Sequence, residues 1–162
     1  MDTIGYSVTS MNRKKDNGLY LRTVQKEDMD LLYKWANDPE VRAASFNTDK
    51  ISYQDHKAWF QRTVNNSDEI IFILMNNEQP IGQIRFSIKG TDADISYSIS
   101  KEVRGNGYGK LIIQLGIKKI VDEYPGIDRI TAKVKPENVA SYWCFEKNGF
   151  IERYRQMEFD LS

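Results

Sequence analysis

The feature that most constrains this chain is the glycine-rich segment RGNGYGK at residues 104–110. It joins a strand-like run, residues 95–100, to a long apolar helical run, residues 111–121. Closely spaced glycines let the backbone approach a ligand and adopt dihedral angles that other residues avoid. The N-terminus of a helix offers free amide donors and partial positive charge. The segment therefore predicts a binding site for an anion such as a phosphate.

Two familiar phosphate-binding loops do not fit this segment. A Walker A loop needs Ser or Thr after its Gly-Lys pair, whereas this chain has Leu111, and Arg104 occupies the position of the first glycine. The glycine spacing is one residue short of a Rossmann fingerprint. The pattern Arg/Gln-x-x-Gly-x-Gly/Ala does fit, through Arg104, Gly107 and Gly109. It resembles the coenzyme A pyrophosphate loop of the GNAT superfamily of acetyl-CoA-dependent N-acetyltransferases, although a glycine-rich surface turn can have the same composition.

A second signature lies about thirty residues downstream. Residues 138–141 read NVAS and residues 145–150 read FEKNGF. These resemble the last core helix of the same superfamily, written N-x-x-A/S with a closing Y/F-E-K-x-G-F. Pro136 suits the start of this helix and Gly149 its C′ position. With both motifs in order, the resemblance extends over residues 19–161.

The hydrophobic pattern agrees with that superfamily's order of elements. We predict strands at 19–24, 70–75, 83–88, 94–100 and 130–134 with a closing pair after Phe150, and helices at 27–36, 39–42, 53–64, 111–121 and from 138. Ser52 is the expected N-cap of the third helix, and residues 76–77 the expected hairpin turn. The fold class is α/β, a GNAT-like mixed, mostly antiparallel central sheet flanked by helices.

Length and composition limit the class of protein. A chain of 162 residues suits one domain, so we expect a flexible tail at 1–18 and a single acetyltransferase domain at 19–162. Lys plus Arg and Asp plus Glu both number 23, which gives no sign of a nucleic-acid partner. Cys144 is the single cysteine, and no metal site is expected. Without a secretory or bilayer-spanning apolar run, we expect a cytoplasmic protein with no membrane partner.

The resemblance implies acetyl-CoA as the acetyl donor. In the superfamily two strands separate, and the pantetheine arm lies between them like an extra strand. The resemblance implies that strand backbone groups bind the pantetheine and that loop amides bind the pyrophosphate. An asparagine would form a hydrogen bond near the pantetheine, and Arg104 would supply charge or loop structure. These cofactor positions are Tyr97, Ser98, Ile99, Arg104, Gly105, Asn106, Gly107, Tyr108, Gly109, Lys110, Asn138 and Phe145.

The expected catalytic side chains are few. A backbone N–H near Ile99 is placed to stabilise the oxyanion. In many relatives a tyrosine at the position of Phe145 protonates the leaving thiolate. Phenylalanine cannot, so we predict Tyr142, one helical turn earlier, as the general acid. No glutamate lies on the strand at 94–100, so His56, the only histidine, is the candidate general base or a substrate contact. Packing roles for His56 and Tyr142 remain open alternatives.

The acceptor site is predicted from the N-terminal third of the chain. The set resembles the branch of the superfamily that acetylates nucleotide-linked amino-deoxysugars, as the pseudaminic-acid pathway N-acetyltransferase does. Arg42 suits a diphosphate, Asn47 and His56 suit sugar hydroxyls, and Trp59 suits an aromatic or sugar face. We therefore predict a small-molecule amine acceptor, a nucleotide sugar, and leave a homodimer open. Alternatives are a protein N-terminus as in ribosomal-protein acetyltransferases, a small amine or antibiotic, or a non-catalytic coenzyme A sensor.

Overall fold

The computed structural model describes residues 18–161, which form one five-stranded sheet in the order β1-β2-β3-β4-β5. Neighbouring strands run antiparallel from β1 to β4, whereas β4 and β5 are parallel. The strands are β1 Leu19–Thr23, β2 Glu69–Asn76, β3 Gln79–Lys89, β4 Asp92–Ile99 and β5 Arg129–Ala132. This architecture confirms the predicted fold class. Residues 1–17 of the predicted tail lie outside the described residues.

The helices lie on the two faces of the sheet. They are α1 Met29–Ala36, α2 Pro39–Ala44, α3 Tyr53–Val64, α4 Tyr108–Glu123 and α5 Val139–Glu146. Local sequence explains their starts. The side chain of Asp38 caps α2 by accepting from the amides of Glu40 and Val41, and Pro39 occupies the first position of α2, where a missing N–H costs nothing. Ser52 caps α3 as predicted.

The central strand β2 is apolar on both faces because both faces are covered. Phe72 and Leu74 belong to the larger core cluster, which includes Ile112 and Ile113 of α4. Ile71 and Ile73 point the opposite way and pack with residues of α1 and α3. The continuous apolar run of β2 thus produces a three-layer fold with the sheet in the middle.

Helix α4 lies unusually close to β3. A Cβ atom on Gly116 would stand 2.5 Å from Cδ1 of Ile84 and 3.3 Å from Cζ of Phe86. Both of those side chains are fully buried, so neither has free space to move aside. The absence of a side chain at Gly116 therefore fixes the height of α4 above the sheet.

Two predictions about the C-terminal part are wrong. The expected closing pair of strands is absent from residues 150–161, whose side chains from Ile151 onward are exposed. This stretch lacks Gly, Pro and Asn, the residues that most favour a tight hairpin turn, so its sequence gives little support to two strands folded back on each other. Pro136 does not start α5, because the helix begins at Val139 with Asn138 as its N-cap. Gly149 does end this region with a left-handed φ of 88°.

Candidate functional site

A cleft opens where β4 and β5 separate. Their pairing runs from Asp92 opposite Arg129 to Ile95 opposite Ala132 and then stops. On its other edge β4 continues to pair with β3 as far as Ile99, opposite Gly82. Residues 96–99 of β4 therefore have a neighbouring strand on one side only. This is a place where an extended ligand can complete the sheet.

The alternation of backbone groups tells which residues face the cleft. The carbonyl of Thr91 accepts from the amides of Asp128 and Arg129, on the β5 side. The amide of Ser100 donates to the carbonyl of Ile81, on the β3 side. Since successive residues of a strand direct these groups to opposite edges, Tyr97 and Ile99 present theirs to the cleft. Ser98 presents its own to β3, so only two of the three predicted residues offer backbone groups to a ligand there.

The glycine loop follows β4 and leads into α4. Gly105 and Gly107 have φ angles of 79° and 82°, and Gly107 is the N-cap of α4. A Cβ atom at either position would meet no atom within 4 Å, so the space beside the loop is open. The first turn of α4 contains no acidic residue, and its leading amides have no partner within the helix. This geometry fits an anionic diphosphate held by backbone donors.

Arg104 ties the loop to its surroundings. Its Nε donates to the carbonyl of Ile99 at 3.0 Å, and its Nη2 donates to Oδ1 of Asp38 at 2.8 Å. Nη1 lies 3.0 Å from Oε2 of Glu40. Burial works to raise the pKa of Asp38, but hydrogen bonds from Arg104 and from the amides of Val41 and Glu40 lower it overall. Of the two predicted roles for Arg104, the contacts favour loop structure.

The side chain of Tyr97 is a feature that the sequence analysis missed. Its ring lies edge-on to Phe145, with centroids 5.6 Å apart, and its hydroxyl reaches Ser141 and Cys144 of α5. Burial raises the pKa of Tyr97 well above its usual value, so the hydroxyl stays protonated at neutral pH. The same ring borders Gly109, where an added Cβ would lie 3.3 Å from the tyrosine oxygen. A proton donor therefore lies beside the cleft on the α4 and α5 side.

The predicted residues on α5 have different surroundings. Phe145 is buried against Tyr97 and Phe150. Tyr142 is exposed, and its ring lies edge-on to that of Trp143. Asn138 accepts from the amide of Ser141 at 3.2 Å and so caps the helix. Roles for Tyr142 in catalysis and for Asn138 and Phe145 in cofactor binding stay predictions.

His56 is built into the packing between α1 and α3. It is 2% exposed, and its Nε2 lies 2.8 Å from the carbonyl oxygen of Met29. The rings of Tyr33, Trp59 and Phe60 surround it, with centroids 5.3 to 6.3 Å away. A base must reach the proton that it removes. The burial of His56 gives no support to its role as general base or substrate contact, which stays a prediction.

Arg42 is also committed to internal contacts. Its Nε donates to the carbonyl of Ala36 at 2.6 Å, and Nη1 donates to the carbonyls of Asn47 and Asp49. Nη2 donates to Oγ of Ser45 at 3.0 Å. The side-chain oxygen of Asn47 accepts from the amide of Asp49. These bonds shape the loop between α2 and α3, and they leave the guanidinium of Arg42 few donors for a diphosphate.

The remaining predicted acceptor residue, Trp59, borders a polar part of the sheet. This polar face lies on the side of β3 and β4 opposite α4. Because Ile71 pairs with Arg85 and Arg85 with Ser96, these residues share one face. The guanidinium carbon of Arg85 lies 5.6 Å from the centroid of the Trp59 ring, and Nε lies 4.0 Å from Oε2 of Glu69. We define the polar face as Gln83, Arg85, Ser96 and Ser98.

A cavity of about 200 Å³ lies where α1 and α2 approach the end of β4. Its lining includes two acidic residues, Asp38 and Glu102, and three basic residues, Lys34, Lys101 and Arg104. Arg104 connects this cavity to the cleft, because it bonds both the Ile99 carbonyl and Asp38. A hydrogen bond from Ser100 lowers the pKa of Glu102, so this carboxylate is ionised at neutral pH. The cavity therefore has mixed charge: Asp38 is paired with Arg104, and Glu102 lies 4.0 Å from the ammonium of Lys34.

An open strand edge and an anion-binding helix start, with a cavity of mixed charge beside them, are the features of an enzyme that binds a coenzyme A thioester and delivers its acyl group to an amine. The family comparison agrees: residues 18–151 match the family model described as Acetyltransferase (GNAT) domain. The chain belongs to this family and is an acetyl-CoA-dependent N-acetyltransferase. The sensor alternative has no support from these findings.

Individual acetyltransferases are also similar to this chain in sequence or in fold. The chain is 23% identical over 128 residues to Acetyltransferase PseH of Campylobacter jejuni, covering 78% of this chain and 79% of that one. Spermidine N-acetyltransferase from Vibrio cholerae, solved with CoA and spermine, has a TM-score of 0.77 at 18% identity, covering 85% and 83%. AAC(6')-Ib, solved with Parmomycin and AcetylCoA, has a TM-score of 0.73 at 19% identity, covering 85% of each chain. The two solved structures share the fold, and the PseH likeness confirms the resemblance seen in the sequence.

Metal ligation and membrane crossing leave no trace in the described residues. Among residues 18–161, no three His, Cys, Asp or Glu side chains are grouped so that they could hold a metal ion. Within the same residues, no helix is both long enough and apolar enough to cross a bilayer.

Proposed function

We propose that this enzyme transfers the acetyl group of acetyl-CoA to the 4-amino group of a nucleotide-linked deoxysugar. The observation that carries the choice of acceptor is the likeness to PseH over nearly four fifths of both chains. It agrees with the motif resemblance to the branch that acetylates nucleotide-linked amino-deoxysugars. The spermidine and aminoglycoside enzymes share only the fold with this chain, at 18% and 19% identity.

The donor side of the proposal uses backbone groups. Tyr97 would pair with the pantetheine amides, since the carbonyl of Ile99 already accepts from Arg104, and the first turn of α4 would hold the pyrophosphate. Acetyl-CoA supplies the activated acetyl group. The N–H of Ile99 is then free to stabilise the oxyanion that forms when the amine attacks, since its partner strand is missing at this point.

The amine would enter through the cavity beside Ile99. An amino sugar arrives largely as an ammonium ion, and Glu102 would provide the opposite charge, because Asp38 is paired with Arg104. The ammonium would then release a proton to water, which leaves the nitrogen lone pair free to attack the thioester. Positioning the amine against the thioester supplies much of the rate. The proton on the departing thiolate would come from Tyr142, as the sequence predicts, or from Tyr97, whose hydroxyl stays protonated beside the cleft.

The nucleotide side of the acceptor would lie on the polar face. Arg85 replaces Arg42 as the expected diphosphate partner, because its side chain is one third exposed and its nearest acid, Glu69, is 4.0 Å away. Trp59 provides an aromatic plane next to it. Serine and glutamine side chains of the polar face supply hydrogen-bond partners for hydroxyl groups.

The test is acceptor profiling by release of the coenzyme A thiol. The panel contains a nucleoside-diphosphate 4-amino-4,6-dideoxyhexose, an N-terminal peptide, spermidine and an aminoglycoside. We expect the nucleotide sugar to have the highest kcat/KM. A preference for any of the other amines would exclude the sugar acceptor while leaving the acetyltransferase assignment intact.

Variants test the polar face. Arg85→Ala is expected to lower kcat/KM for the nucleotide sugar by about tenfold or more, because a charge-assisted bond to a phosphate is lost. Arg85→Lys should restore part of this loss, and acetyl-CoA affinity should hold in both. Arg62→Ala, on the exposed side of α3, is the matched control and should leave kcat/KM unchanged. Equal losses for Arg62→Ala and Arg85→Ala would remove the polar face from the acceptor site.

A further inference from the structure

Strand β5 ends earlier than its sequence requires. The alternation of Ile130, Ala132 and Val134 predicts a strand over 130–134, yet pairing with β4 stops at Ala132. If the same register continued, Tyr97 would lie opposite Val134, and both residues have the backbone N–H that a ladder needs. An unpaired strand edge attracts another strand. An element outside this pair of strands therefore holds them apart.

Helix α2 is fastened to the β4 side of the cleft at its first turn. Two nitrogens of Arg104 bond the carboxylates of Asp38 and Glu40. The third nitrogen donates to the carbonyl of Ile99, the last residue of β4. The side chains of Arg104 and Asp38 are only 25% and 12% exposed, so salt screens this ion pair weakly. The N-terminal end of α2 is thus joined to the end of β4.

The C-terminal end of α2 is fastened to the other side of the cleft. Nζ of Lys135 donates to the carbonyl oxygen of Ala43 at 3.0 Å, across 92 residues of chain. Lys135 lies in the segment after β5 that would run beside Ser98 if the ladder continued. The last carbonyls of a helix have no partner within the helix, and they attract cations. The Lys135 ammonium therefore holds this segment on α2 and away from β4.

The length of α2 suits the gap that an extended ligand needs. Its six residues span about 9 Å at about 1.5 Å per residue. A chain inserted between two strands needs two strand spacings, which is about 9.6 Å. Arg42 donates to the carbonyls of Asn47 and Asp49 and so braces the loop that follows the helix. A short helix that is braced in this way and fastened at both ends can hold the two strands at that separation.

We propose that α2 is a spacer that keeps the cleft open at the width of one extended chain, and that Asp38 and Lys135 are positioning residues for acetyl-CoA. Neither side chain needs to touch the cofactor. Both act by preventing β4 from pairing with the segment after β5, so the ligand-free protein is already arranged to receive the pantetheine. The positioning role rests on the proposed placement of the pantetheine beside Tyr97, whereas the spacer itself is a property of the ligand-free protein.

Hydrogen exchange of the ligand-free protein is the first test. In the wild type the amide of Tyr97 has no strand on its cleft side and should exchange quickly. Lys135→Met removes one fastening, so pairing should extend and slow this exchange by at least about tenfold. Lys133→Met is the matched control, since Lys133 is exposed and follows β5 directly, and it should exchange like the wild type. Unchanged or faster exchange in Lys135→Met would overturn the spacer, because the loss of an ordinary structural contact loosens a sheet.

The affinity for acetyl-CoA, measured by calorimetry, is the second test. Asp38→Asn weakens the bond to Arg104 but keeps a side-chain oxygen that can cap α2. This variant and Lys135→Met should each raise Kd by about threefold or more, because only the open fraction of the protein binds. The double variant should lose no more than the weaker-binding single variant, since one released end already frees the spacer. Additive losses would overturn the proposal by showing two separate contacts.

Salt separates the spacer from a direct contact with the cofactor. If Lys135 bound a phosphate, the loss in Lys135→Met would shrink between about 0.05 and 0.5 M salt, and this result would overturn the proposal. An equal loss at both concentrations supports it. Lys135→Arg, which can reach the same carbonyl, should bind acetyl-CoA as the wild type does.

The wild type also separates the spacer from the placement of the cofactor. Acetyl-CoA should slow the exchange of the Tyr97 amide in the wild-type protein, because the pantetheine would then cover it. If acetyl-CoA leaves that exchange unchanged, the placement is wrong and the positioning role is overturned with it. The exchange of the ligand-free variants tests the spacer alone.

Discussion

Gly107→Glu is expected to abolish acetyl-CoA binding in a protein that remains folded. Gly107 begins α4 with a φ of 82°, and open space lies beside it. A carboxylate at this position would stand next to the bound phosphates. At roughly 5 Å and an effective dielectric constant of about 20, repulsion from one phosphate charge costs about 3 kcal/mol. That energy corresponds to a loss of about 150-fold in affinity.

Gly90→Glu is the matched control for this variant. Gly90 also has a positive φ, 64°, and a Cβ there would meet no atom within 4 Å. Both substitutions place the same side chain in left-handed backbone, so both should lower stability by roughly 1–2 kcal/mol. However, Gly90 lies at the other end of β4, an eight-residue strand. The strand itself spans about 26 Å at about 3.3 Å per residue, a length well beyond the screening length of salt.

Isothermal calorimetry with acetyl-CoA, together with thermal unfolding, measures both effects. The two variants should have similar unfolding temperatures, and only Gly107→Glu should lose affinity. A folded Gly107→Glu protein with the affinity of the wild type would show that this loop does not hold the pyrophosphate. Equal losses of affinity in the two variants would trace the effect to stability rather than to charge at the loop.

Three further outcomes are expected. Tyr142→Phe should lower kcat more than it weakens acetyl-CoA binding, and Phe145→Tyr should keep or raise kcat. Wild-type kinetics for Tyr142→Phe would show that another group protonates the departing thiolate, and Tyr97→Phe would then be the next variant. Burial works to raise the pKa of Asp28, but the bidentate bond from Arg22 and the bond from the Gln25 amide lower this pKa overall. The ionised carboxylate therefore stabilises the fold above pH about 4, and this stabilisation is lost as the pH falls through the pKa of the folded state. Urea unfolding of Asp28→Asn should therefore show less stability than the wild type at pH 6 and a smaller gap at pH 3, and a pH-independent gap would contradict this. Arg42→Ala should lower stability by about 2 kcal/mol, because the loop after α2 loses its donor, and should leave KM for the nucleotide sugar nearly unchanged in the folded fraction.

Local patterns in the sequence were sufficient to predict most elements of this fold. The continuous apolar run of β2, the Ser52 cap and the glycine loop each specify structure through neighbouring residues alone. The predicted strands after Phe150 were wrong although residues 157–161 alternate like a strand. Whether an alternating segment finds a partner depends on contacts far away in the chain.

The candidate site was predictable where backbone geometry forms it. The start of α4 follows from the glycine positions, and the cleft at β4 is what the resemblance to the acetyltransferase family implies; both are present. Side-chain roles were less predictable. Arg42 satisfies carbonyl oxygens within its own loop, and His56 fills a space among aromatic rings. Sequence reveals the chemistry that a side chain can perform, whereas its contacts determine whether donors remain for a ligand. Arg85 had no motif to mark it, because its importance depends on the register between β2, β3 and β4.

The bare backbone at Gly116 has a consequence for how long a ligand the enzyme accepts. The cleft at Ile99 and the anion-binding start of α4 belong to different elements, and the distance between them depends on how deeply α4 rests on β3. A Cβ at Gly116 would stand only 2.5 Å from Cδ1 of Ile84, so this depth is open to glycine alone. It lies nine residues, or about 13 Å along the helix, from Gly107. The close contact at Gly116 therefore sets how far apart the thioester and the diphosphate of a bound ligand must lie.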